Sequence, residues 1–156
     1  MRRVPLLLLL AACAPSAEIT SIASWFGQCA GACRVELAVH PDPVVRIRDP
    51  GDRVLLEAPG RWTPAGEAER DQVEADLADT PLQDVYGCPD CADGGGMELA
   101  LSDGAVTRWE YARPPDELAG ADALFHDAAD ALQTCVASDL VAPDDACAPV
   151  TVTSPP

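Results

Sequence analysis

Apolar and polar residues alternate over residues 34–40, placing Val35, Leu37 and Val39 on one side of an extended chain. The same two-residue period recurs at 97–101, with Met97, Leu99 and Leu101 sharing a face. It recurs at 105–112, with Trp109 and Tyr111 together. A weaker pattern over 19–26 predicts a first strand. Residues 44–48 and 53–58 flank Asp49-Pro50-Gly51-Asp52, a turn sequence, and predict a hairpin. Two stretches change to the helical period. Over 65–79, Val73 and Leu77 stand four apart, behind Thr63 as N-cap and Pro64 at the first helical position, and Thr80-Pro81 ends the run. Over 116–135, Leu118, Ala121, Phe125, Ala128, Leu132 and Cys135 draw one apolar stripe.

The order is strands, helix, strands, helix. It predicts an α+β fold: one antiparallel sheet with both helices packed on one face. Expected boundaries are a leader over 1–12, a tether over 13–18, a single domain over 19–135 and a Pro-rich tail over 136–156, unstructured outside the Cys147 contact. A short internal echo runs through the domain. Cys29 and Cys33 precede Val-Glu-Leu-Ala-Val, and Cys88 and Cys91 precede Met-Glu-Leu-Ala-Leu.

Composition narrows the function classes. Ten Lys plus Arg against 26 Asp plus Glu give a formal charge of −16, which argues against electrostatic binding of nucleic acid or anionic lipid. No 18-residue apolar run is present, so no transmembrane span is expected. Alanine inflates the 48% hydrophobic fraction.

The first 14 residues carry the most specific motif. Arg2 and Arg3 precede the apolar run from Leu6 to Leu10, which is too short to cross a bilayer and ends in small residues. Leu10-Ala11-Ala12-Cys13 then resembles the lipobox of bacterial lipoproteins. The resemblance implies cleavage before Cys13, lipidation of that cysteine and a membrane anchor. Ala14, in place of a retention aspartate, implies the outer membrane of a Gram-negative host, with the domain facing the periplasm or the cell surface. Cleavage removes two arginines and takes the charge to −18. Lipid, rather than charge, then holds the acidic body at the membrane.

Export would place Cys29, Cys33, Cys88, Cys91, Cys135 and Cys147 in an oxidising compartment. Six cysteines allow three bridges in 15 connectivities. Cys135 is expected to pair with Cys147, tying the tail to the second helix. Cys29, Cys33, Cys88 and Cys91 are expected to form two structural disulfides close together, in either connectivity. Two alternatives use the same four residues: a four-thiolate zinc site, and redox catalysis by Cys88-Pro-Asp-Cys91. The glycines at 94–96 argue against catalysis, because they cannot continue the helix whose N-terminus would stabilise a thiolate. The segment from Tyr86 to Gly95 resembles a group of small exported bacterial proteins of unknown role, which also carry an element like Phe26 to Cys33. That resemblance implies no activity.

Other chemistry is sparse. His40 and His126 are the two histidines. Asp122, His126 and Asp130 lie four apart on one helical face and are expected to face solvent. Asp90 and Asp93 beside the glycine run are candidate calcium oxygens without EF-hand spacing. Trp25, Trp62 and Trp109 are expected in the core. No catalytic residue, metal or cofactor is expected. The expected role is a lipid-anchored envelope protein that binds a protein partner or serves structurally. The alternative is an exported thiol–disulfide oxidoreductase using Cys88 and Cys91.

Overall fold

The computed structural model describes residues 18–148 apart from 28, 30, 90, 92 and 93. Seven strands form one sheet: β1 (Ile19–Trp25), β2 (Arg34–Ala38), β3 (Val44–Arg48), β4 (Val54–Trp62), β5 (Gly96–Leu101), β6 (Val106–Glu110) and β7 (Val141–Pro143). Two helices complete it, α1 (Pro64–Ala78) and α2 (Ala119–Thr134), the second entered through a 3₁₀ turn at Asp116–Leu118. The fold is the expected α+β, strands and helices alternating in the expected order. The spatial order is β6-β5-β1-β2-β3-β4-β7, and every neighbouring pair is antiparallel.

Register explains why the alternation reads so clearly. One inward row runs Thr107, Leu99, Ile22, Leu37, Val45 and Ala58 across six strands. The next runs Trp109, Met97, Ser24, Val35, Ile47 and Leu56. Leu37, Leu99, Met97 and Trp109 are fully buried there, with Leu124 and Leu132 of α2 equally enclosed. Burying one such side chain contributes about 1.5–3 kcal/mol. A register shift between Ile19 and Ser21 lets Ile19 and Ile22, three apart, both be buried.

α1 begins as its sequence dictates. Thr63 Oγ1 accepts the Gly66 N–H at 3.0 Å, and Pro64 opens the helix. The segment after Cys135 departs from expectation. In place of an unstructured tail it carries β7, which pairs Val141, Ala142 and Pro143 with Trp62, Arg61 and Gly60. Its position is fixed from outside. Thr63 N–H donates to the Leu140 carbonyl at 2.9 Å, and Thr63 Oγ1 donates to the Asp139 carbonyl. The start of α1 presses so closely on this segment that a Cβ at Gly66 would stand 1.9 Å from the Leu140 oxygen. The tail's last part, 149–156, lies outside the described residues, as do the leader, Cys13, most of the tether, Asp90 and Asp93.

Candidate functional site

Two regions away from the core hold the chemistry-bearing side chains: the rim where β1 ends, and the sheet face opposite the helices.

At the rim, the cysteines pair locally. Cys29 joins Cys33, and Cys88 joins Cys91, with Cα separations of 5.5 and 5.2 Å. The four-thiolate zinc reading is therefore corrected: each sulfur is bonded to its near neighbour. β2 and β5 do not adjoin each other, but both flank β1 antiparallel to it. They start at the same end of the sheet, and so both disulfides lie there. The first bridge extends the sheet: Phe26 N–H donates to the Cys33 carbonyl at 3.2 Å, and Cys33 N–H to the Arg48 carbonyl at 2.8 Å. Cys135 joins Cys147 as expected, at a Cα separation of 5.7 Å.

Cys88 sits in surroundings unlike those of a reactive thiol. Its N–H donates to Glu110 Oε1 at 3.1 Å, and Cys91 N–H closes a single turn on the Cys88 carbonyl at 3.0 Å. Glu110 takes the Cys88 backbone N–H, and a single turn stands in place of a helix N-terminus, so neither is left to stabilise a thiolate. The glycine run has a packing role. Gly96 faces Trp25 across the ladder, and a Cβ there would stand 2.3 Å from the indole. A cleft of about 330 Å³, partly open to solvent, is lined by Cys88, Cys91, Glu110 and Tyr111.

The histidines are engaged structurally. His40 Nε2 lies 2.7 Å from Glu74 Oε1, which also accepts the N–H of buried Ile19 at 2.8 Å. Glu74 thus ties α1 to β1. His126 packs edge-on to Tyr111 and Phe125. Asp122 is not a free solvent acid. Trp109 Nε1 donates to it at 3.2 Å, and it lies 3.7 Å from His126 Nε2. Trp62 and Trp109 are core residues, whereas Trp25 lies half-buried on the open face.

That open face holds what sequence reasoning missed. Between Ser21 and Trp25, β1 presents only Ala23 outward, and the flanking strands present charges. Arg34 Nη2 donates to Glu98 Oε1 at 2.9 Å, reaching from β2 to β5 over Ala23, which is 1% exposed. Arg108 Nε donates to Glu98 Oε2 at 2.9 Å, and Arg46 Nε to Glu57 Oε2 at 2.7 Å. Arg34, Arg46 and Arg48 all lie within 3.8 Å of Glu36. Half of the eight arginines among the described residues therefore gather on this face of an acidic chain. Burial alone would push the Glu98 carboxyl up. The hydrogen bonds from Arg34 and Arg108 outweigh burial and hold it below its ordinary value. At the hairpin turn, the Arg53 N–H above all, with Gly51 N–H and the Arg53 guanidinium, lowers Asp49 similarly.

Among the described residues, no group of three or more His, Cys, Asp and Glu is arranged to hold a metal ion, and no helix is long and apolar enough to cross a membrane. Comparison with family models, curated proteins and solved structures finds no match to this chain.

Proposed function

We propose that this chain is a lipid-anchored protein of the bacterial cell envelope, whose domain acts by binding or as a structural element rather than by catalysis. The observation that carries the reading is Leu10-Ala11-Ala12-Cys13 after a leucine run behind two arginines. The pairing of the other six cysteines into three bridges supports it, because disulfides accumulate in exported proteins. In a Gram-negative host the anchor would lie in the outer membrane. The anchor supplies membrane affinity that an acidic domain lacks.

The oxidoreductase alternative draws on the exposure of Cys88 and Cys91 and on their spacing. The Glu110 carboxylate and the missing helix favour a structural bridge instead.

Mass spectrometry of the N-terminal peptide tests the anchor. A diacyl or triacyl Cys13 is expected. Cys13→Ala should release the protein from membranes with its melting temperature unchanged. An unmodified Cys13, or cleavage elsewhere, refutes the reading. Disulfide-reductase turnover lost in Cys88→Ser would favour the enzyme instead.

A further inference from the structure

The open face is self-complementary. Read from β6 to β4, its middle row is Arg108, Glu98, Ala23, Glu36, Arg46 and Glu57. The signs run plus, minus, neutral, minus, plus, minus. Consider a second copy turned about a two-fold axis parallel to the strands, between β1 and β2. Its row is presented in reverse. Arg108 then faces Glu57 of the second copy, Glu98 faces Arg46, and Ala23 faces Glu36.

The rows on either side agree with this arrangement. Toward the start of β1, the row is Val106, Ala100, Ser21, Ala38, Val44 and Pro59. Reversed on itself, it sets small or apolar side chains against one another throughout. Toward the disulfides, the row is Glu110, Gly96, Trp25, Arg34, Arg48 and Val54. Reversal places Trp25 opposite Arg34, a cation–π pairing. Gly96, covered by the Trp25 indole, falls opposite Arg48, and Glu110 falls opposite the exposed Val54 at the rim. The other in-plane two-fold, along the rows, sets Arg108 on Arg108 and Glu98 on Glu98. Like charges opposed in this way exclude it.

We infer that the open sheet face is the contact of a symmetric dimer of this chain, with the axis parallel to the strands. The occupant is a second copy because the order of charges, and not merely their presence, matches its own reverse. Six strands by three outward rows cover about 600 Å² per copy. A standard stable interface buries about 800 Å² per partner. The face also keeps its charges paired within each copy. The dimer is therefore weak, with a dissociation constant on the order of 100 µM, and salt-sensitive.

Sedimentation equilibrium of the full chain in density-matched detergent tests the inference. A monomer–dimer equilibrium is expected at about 0.02 M NaCl, weakened about tenfold at about 0.5 M. Arg108→Glu and Glu57→Arg each reverse one end of the middle row. Both side chains are about half exposed, at 49% and 54%, so each variant should fold. Each alone should weaken self-association by about tenfold or more. An equimolar mixture should recover wild-type affinity, because each altered charge then meets its opposite. Ala38→Arg, which leaves the ion pairs intact, should give a monomer with unchanged circular dichroism. A wild type that stays monomeric in low salt, as expected if another protein covers this face, overturns the inference. So do single variants that dimerise normally, or a mixture that fails to recover.

Discussion

The two faces of the sheet are made by the same strands from alternate residues, yet they are held by different physics. Toward the helices, rows such as Leu99, Ile22, Leu37 and Val45 exclude water, and their cohesion scales with buried apolar area. On the opposite side, arginines and glutamates lie flat over an alanine floor, and their cohesion depends on geometry, pH and salt. The first face specifies that the chain folds. The second adds little stability for the charge it carries, since half-exposed ion pairs contribute about 0–1 kcal/mol each. What it adds is order across the strands, because Arg34, Arg46 and Arg108 each bond a glutamate on another strand.

This contrast can be broken at graded cost. Leu37→Ala leaves a cavity beneath α2 and should destabilise the domain by about 2–5 kcal/mol, read from chemical denaturation. Ala23→Leu fills the opposite side of the same sheet, where the Arg34–Glu98 bond passes overhead. It should cost about 1–3 kcal/mol by overpacking and part that bond. A stabilised Ala23→Leu variant would show that the charged layer merely rests on the surface.

Glu98→Gln should have the smallest effect, about 1 kcal/mol at neutral pH after solvent screening. Its sign with pH is fixed. The folded-state carboxyl lies below its unfolded value. Its contribution is therefore complete above the ordinary glutamate range near pH ~4.3 and is lost as pH falls through the lower folded value. Wild type should lose stability in that acid window more steeply than Glu98→Gln. Parallel acid profiles would remove Glu98 from the account.

The two faces also differ in how much of them was legible. Val35, Leu37 and Val39, like Met97, Leu99 and Leu101, announce themselves because burial imposes a period of two on a single strand. The outward halves of those strands, Arg34 and Glu36 or Glu98, carry the same period. Taken alone, however, each charge looks solvated. Their meaning depends on β1 lying between β2 and β5, a non-sequential arrangement that no local pattern encodes. The same holds for β7. Val141 is its sole strong strand former, and Pro143 argues against a strand by propensity. Its pairing comes from the Thr63 clamp and the Cys135–Cys147 bridge, contacts made across the chain. The cysteine pairing at the rim stayed open for another reason: loop-closure entropy changes too slowly with length to choose between connectivities.

The observed connectivity has a consequence for biogenesis. Cys29 joins Cys33, Cys88 joins Cys91, and Cys135 joins Cys147, so every cysteine after Cys13 is bonded to its nearest cysteine along the chain. A polypeptide emerging amino-end first and oxidised as it emerges reaches this arrangement by default. Each new thiol finds its proper mate as the most recent one still reduced, and no bridge has to be undone later. A chain with this connectivity needs an electron acceptor to oxidise its thiols but no shuffling enzyme afterwards.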